Sequence, residues 1–203
     1  MRAALALAVV VVACGGSATA GPKAQPDAPT QPSIVVTAEM GAPHPGDLAP
    51  DFELVDQTGA RVKLSSTRGS VVMLAFVASW CPFSEAEQPN LARLAEDYRA
   101  KNVKVLAVDI KEPDLGYRKY LDRVSLPFPV LRDATGDVTL SFTPTHAQPD
   151  ITDRATVIVT SNLVLDVEGR IRFFTMADTA HFDAKLVFAR KEIDRLLASA
   201  GPG

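Results

Sequence analysis

From residue 52 the chain alternates apolar and polar positions in a way that predicts paired strands. Phe52-Glu53-Leu54-Val55 and Arg61-Val62-Lys63-Leu64 flank the turn Asp56-Gln57-Thr58-Gly59, the pattern of a β-hairpin. Residues 71–77 form an almost wholly apolar run bounded by Gly69 and Cys81-Pro82, as expected of a strand covered on both faces. Leu91, Leu94, Ala95 and Tyr98 then recur at helical spacing, residues 103–110 read as a second buried strand, and residues 114–124 as a short helix. Residues 129–131 are a short extended piece. Residues 156–159, 162–166 and 170–175 read as strands, the last two joined at Val167-Glu168-Gly169, and residues 183–198 as a closing helix with Leu186, Ile193 and Leu197 on one face. Strands that alternate with helices and end in a hairpin and a helix predict a three-layer α/β/α sandwich. Its central sheet should be mixed, because the βαβ part needs parallel pairs and the Gly169 turn an antiparallel one.

Two stretches fall outside this rhythm. Between Gly136 and Arg154 the chain is polar and contains proline, which predicts a functional loop or an insertion over residues 137–153. At the N-terminus, Arg2 precedes an apolar run over residues 3–13, the length of an export signal's core and too short to span a membrane. Val11-Val12-Ala13-Cys14 resembles the bacterial lipobox, in which the cysteine is lipidated and becomes the mature N-terminus. Ala18-Thr19-Ala20 before Gly21 is a competing site for ordinary signal peptidase. Residues 14–45 are rich in proline and small residues and cannot bury enough apolar surface to offset their ordering, so they read as a spacer. The expected organisation is a signal at 1–13, a linker at 14–45 and one domain at 46–200. The protein would then be exported to the cell envelope or periplasm and anchored to the membrane through acyl chains on Cys14.

Composition narrows the function. Apolar residues make up 47% and charged residues 22% of the 203, an ordinary globular balance. The formal charge of −3 supplies no basic excess for phosphates, so nucleic acid is not an expected partner. Two cysteines cannot build a disulfide framework or a four-cysteine zinc site, and the reading calls for no metal or cofactor.

The chemistry concentrates on Cys81. It follows a buried strand and precedes a helix whose first residue is Pro82, a favoured opening because proline's missing N–H is not needed there. A thiol at that place faces unpaired amides and the positive end of the helix dipole, and both favour the nucleophilic thiolate. A cysteine merely packed as a small hydrophobe is the alternative.

Gly46-Asp-Leu-Ala-Pro-Asp-Phe-Glu-Leu54, Leu64-Ser65, Arg68-Gly69 and Phe76-Val-Ala-Ser-Trp-Cys-Pro82 resemble the thioredoxin-like redoxins of the AhpC/TSA and TlpA/ResA type, as do Glu87, Pro89 and Leu163-Val-Leu-Asp-Val-Glu-Gly-Arg-Ile171. The resemblance implies a thioredoxin-like fold and thiol–disulfide chemistry. The family motif is Trp-Cys-x-x-Cys, whereas this chain has Trp80-Cys81-Pro82-Phe83-Ser84, with Ser84 where the resolving cysteine stands. Cys81 alone can form a mixed disulfide but needs an outside thiol to resolve it. The expected partners are therefore exported protein or small-molecule thiols and disulfides, together with an external thiol reductant.

The same resemblance places Thr160 where the family's cis-proline faces the active cysteine. Trp80 is expected to pack beside the sulfur, and Glu87 either to relay protons beneath it or to stand exposed. Two rivals remain. One is a one-cysteine peroxidase with Arg154 as peroxidatic arginine, although Leu74 and Ala78 occupy that pattern's proline and threonine positions. The other is a non-catalytic binding module for an exported partner. A copper-chaperone reading through His146 lacks its second thiol. Asp109 is assigned no role, and Arg190, Lys191, Glu192 and Asp194 read as a solvated helix face.

Overall fold

The apolar run at residues 71–77 becomes the spine of the molecule in the computed structural model, which describes residues 44–143, 160–176 and 182–199. All seven residues of β3 (Val71–Val77) are buried. Its side chains divide by parity: Val72, Leu74 and Phe76 enter the core on one face of the sheet, and Val71, Met73, Ala75 and Val77 the core on the other. Only a strand covered on both sides can be apolar at every position, as the sequence pattern requires.

Seven strands form one sheet in the order β2-β1-β5-β4-β3-β6-β7. The hairpin β1 (Glu53–Asp56) and β2 (Arg61–Lys63) lies at one edge, and β6 (Thr160–Leu165) with β7 (Ile171–Met176) at the other. Between them, β4 (Val103–Ile110) runs parallel to both β3 and β5 (Val130–Asp133), while β1 against β5 and β6 against β3 are antiparallel. The mixed sheet is the one expected. The turn between β6 and β7 depends on Gly169, whose φ is +78° and whose missing Cβ leaves room for the Arg68 guanidinium.

The helices are shared unequally between the faces. The two parallel crossovers, α1 (Pro82–Asp97) and α2 (Asp114–Arg123), and the last helix, α4 (Val187–Ser199), all bury their apolar residues in one core, with Leu91, Leu94, Tyr117, Tyr120 and Ile193 among them. Right-handed crossovers stepping in the same direction across a sheet must fall on the same side. The opposite core is covered by a thinner layer, made of Ala49, Phe52, Leu64 and the short helix α3 (Asp137–Ser141).

That helix corrects one expectation. The stretch from residue 137 begins as α3, not as loop, and it delivers Val138 and Phe142 to the core, where Phe142 packs 6.1 Å from Phe52 and 5.5 Å from Phe76. Asp133 makes the helix possible by accepting the amides of Gly136 and Thr139. Residues 144–159, including the expected strand at 156–159, lie outside the described residues.

The C-terminal helix also starts later than its pattern implies. Asp183 precedes it and accepts the amides of Val187 and Phe188 at 2.9 and 2.7 Å, so the acid caps the helix that it was expected to open. Leu196 is more deeply buried than Leu197. The charged face is only partly solvated. Arg190 pairs with Asp97 at 2.8 Å, and Asp194 accepts the Tyr98 hydroxyl at 2.8 Å, which ties α4 to the end of α1.

Candidate active site

Cys81 stands four residues beyond the end of β3, at the C-terminal edge of the parallel strands. The chain turns there. Its amide donates to the Ala78 carbonyl at 3.2 Å, and its carbonyl accepts the Glu85 amide at 3.2 Å as the first bond of α1. Its backbone is extended (φ −93°, ψ 117°), so Cys81 is the N-cap residue and Pro82 the first residue of the helix. The side chain is half-buried against the core, in company with Trp80. A thiol so placed is reachable from solvent and adjoins a helix N-terminus, the setting that the sequence predicts.

Ser84 does not face the solvent. It is buried, and its Oγ accepts the Ala78 amide at 3.1 Å, bracing the turn that carries Cys81. The hydroxyl at the resolving position is therefore a structural acceptor.

Glu87 lies on the buried face of α1, 1% exposed, which rules out the reading of an exposed helix residue. One carboxyl oxygen accepts the side-chain amide of Asn162, which projects from β6 beside β3. Burial pushes the Glu87 carboxyl up to about 8; the Asn162 hydrogen bond opposes this and the negative Asp183 adds to it. Near neutral pH Glu87 therefore keeps its proton, which a carboxyl must do to serve as a proton store.

Thr160 opens β6 opposite Met176 of β7. Because β6 runs antiparallel to β3, its first residues reach the edge where Cys81 sits. Cys14, His146 and Arg154 lie outside the described residues. Among the described residues there is no group of three or more His, Cys, Asp or Glu side chains that could hold a metal ion.

Two further acids complete the neighbourhood, Asp109, to which the sequence assigned no role, and Glu112, which it did not single out. Asp109, opposite Val77 at the end of β4, is fully buried, and burial together with the charge of Glu112 pushes its carboxyl up to about 8. Glu112 is also buried and accepts the amide of Ser79, two residues before Cys81. A charged residue inside the apolar run Val-Lys-Val-Leu-Ala-Val-Asp-Ile was the available signal, since a buried acid must be held or neutralised.

The comparisons with known proteins agree with this geometry. The sequence model of the AhpC/TSA family matches residues 45–173. The thiol-disulfide oxidoreductase ResA of Geobacillus kaustophilus is 39% identical over 93 residues, covering 46% of this chain and 53% of the relative. ResA of Oceanobacillus iheyensis is 39% identical over 99 residues, covering 46% and 50%. The chain thus spans about half the length of the curated relatives it matches. Among solved structures, a putative thiol:disulfide interchange protein DsbE from Chlorobium tepidum superposes with a TM-score of 0.63 at 28% identity, covering 77% of this chain and 99% of that one. A putative thioredoxin from Neisseria meningitidis gives 0.58 at 27% identity, covering 75% and 91%. The fold is thioredoxin-like, and the chain belongs to the AhpC/TSA family.

Proposed function

We propose that this domain is a thiol–disulfide oxidoreductase working through a single thiol, that of Cys81. The observation that carries the reading is the seat of Cys81, half-buried at the N-cap of α1 with a serine three residues on, already engaged with the Ala78 amide. The reaction class is the one for which the ResA and DsbE proteins it resembles are named. In the forward step the Cys81 thiolate attacks a partner disulfide. A Cys81–partner S–S bond forms, the partner's own S–S bond breaks, and its other sulfur leaves as thiolate. Ser84 cannot resolve this adduct. An external thiol does so, forming a disulfide with the partner sulfur and returning Cys81 to the reduced state. Glu87, kept neutral by burial, is a proton donor available from within α1.

Native protein incubated with oxidised glutathione should gain one glutathione by mass, located at Cys81, and lose it with reductant. Cys81 that resists in the folded protein yet reacts after denaturation would be a packing residue, and the binding-module reading would replace this one. Consumption of hydrogen peroxide at a rate exceeding disulfide exchange would instead favour the one-cysteine peroxidase.

The proposed setting is the cell envelope, with the domain held to a membrane through a lipidated Cys14 and the spacer that follows it. Support comes from Val11-Val12-Ala13-Cys14 and the proline-rich composition of residues 15–45. Mass spectrometry of the mature N-terminus should find an acylated Cys14; an unmodified chain starting at Gly21 overturns the anchor.

A further inference from the structure

Beneath the turn that carries Cys81, on the side away from Glu87 and Asn162, lies a pair of buried acids that the exchange chemistry does not use. Asp109 is 0% and Glu112 4% exposed, and they are three residues apart in sequence. Glu112 is held at one oxygen. One oxygen accepts the Ser79 amide at 2.5 Å, and the other sits in space that Gly116 of α2 leaves open, where an added Cβ would come within 2.5 Å of it. Asp109 is different. Neither of its oxygens has a partner within hydrogen-bond geometry among the described residues, and the Glu112 amide approaches without meeting that geometry. A buried, unpaired carboxylate is costly, and a carboxyl in that position relieves the cost by keeping its proton.

We propose that Asp109 is a positioning residue for Cys81: neutral in its unpartnered buried seat, it leaves Glu112 on the Ser79 amide, and loss of its proton displaces Glu112 from that amide and so shifts the Ser79–Cys81 turn.

The balance of charge fixes the direction. With Asp109 protonated, the pair carries one charge, on Glu112, where the Ser79 amide stabilises it. When Asp109 releases its proton to solvent, two anions face each other in a dry site, and the hydrogen bond to Ser79 is the contact free to yield. The other groups facing Asp109 are the Arg132 guanidinium and Asp133 on β5 and the phenols of Tyr117 and Tyr120 on α2. Arg132 opposes the shift and is itself engaged by Asp114. Asp133 and Glu112 reinforce it, and burial is the largest cause, so that the Asp109 carboxyl titrates at about 8. The turn receives a second hold from Arg123, whose guanidinium donates to the Ser79 carbonyl at 3.5 Å. Ser79 is thus gripped at its amide by an acid whose position depends on Asp109 and at its carbonyl by a base of fixed charge. A shift of this turn moves Cys81 relative to the N-terminus of α1 that it caps, so its reactivity toward electrophiles should change at the Asp109 transition.

The consequence for Cys81 rests on the reactivity proposed above, but the primary test does not. The backbone amide shift of Ser79, followed by NMR against pH, should show a step in the wild type that disappears in Asp109→Asn and persists in Glu87→Gln. Glu112→Gln provides a second route. It keeps an oxygen for the Ser79 amide and carries no charge to be repelled, so the step should vanish there too, even where Asp109→Asn folds poorly. The pH profile of Cys81 alkylation should carry an inflection at the Ser79 step in the wild type and lose it in the same variants. An unaltered Ser79 step in both variants, or no step in the wild type, overturns the proposal. An unreactive Cys81 with a Ser79 step that responds to Asp109 would instead sustain it while removing the oxidoreductase reading.

Discussion

Replacing Ser84 with cysteine is expected to raise disulfide-reductase turnover by at least about tenfold, because it turns an intermolecular resolving step into an intramolecular one. In the wild type, each mixed disulfide on Cys81 waits for an outside thiol. A thiol at position 84 would stand one helical turn away, on the same helix, at an effective concentration far above that of any free reductant. The local frame is already suitable: Cys81 caps α1, Pro82 opens it, and residue 84 lies on the inner side of its first turn. The cost is modest. The serine Oγ that accepts the Ala78 amide is replaced by a weaker sulfur acceptor, for a loss of about 1 kcal/mol. Turnover of a protein disulfide such as insulin measures the gain, and the glutathione adduct should become transient in the variant as an internal disulfide replaces it. Unchanged turnover with a fully formed internal disulfide would mean that partner docking, not resolution, limits the site.

The elements that sequence resolved best are those whose burial leaves no ambiguity of period. The strands at residues 71–77 and 103–110 were legible to the residue, because a double-faced strand has few polar positions and is bounded by glycine, proline or a charged turn. Boundaries failed where a polar side chain substitutes for backbone. Asp183 looks like the first residue of an amphipathic helix, yet its carboxylate is spent on the amides of Val187 and Phe188, and the helix begins only after it. Residues 137–141 look like the start of a polar loop because a five-residue helix is too short to express a period, although Val138 and Phe142 anchor it.

At the site, Cys81 and Pro82 were readable as a helix N-terminus, which is a local feature, whereas Ser84 and Glu87 were picked out only through the family resemblance. The burial of Glu87 and Asp109 was not legible. Their burial is set by Asn162 from β6 and by residues of α2 and β5, partners distant in sequence that no local pattern reveals.

Glu87 sets the last expectation, for stability against pH. In the unfolded chain its carboxyl ionises near the ordinary 4.5, whereas in the fold burial and the charge of Asp183 raise it to about 8. Below about pH 4.5 both states are protonated and there is no penalty. As pH rises from there to about 8, the unfolded chain gives up a proton that the folded chain retains, so stability falls by up to about 1.4 kcal/mol per unit. The accumulated loss is on the order of 3 kcal/mol at pH 7, and it becomes constant once both states are ionised. Glu87→Gln removes the titration while keeping an oxygen to accept the Asn162 amide. The new amide hydrogens must find an acceptor in the buried site, at a cost of about 1–3 kcal/mol if they do not, but that cost is the same at every pH. Asp109 titrates over the same range in both proteins and cancels from their difference. Denaturant unfolding at several pH values should therefore give a stability difference, variant minus wild type, that climbs steadily between about pH 5 and 8 and is flat on either side. Parallel curves would mean that Glu87 ionises in the fold as readily as in the unfolded chain, and it would then hold no proton for the exchange at Cys81.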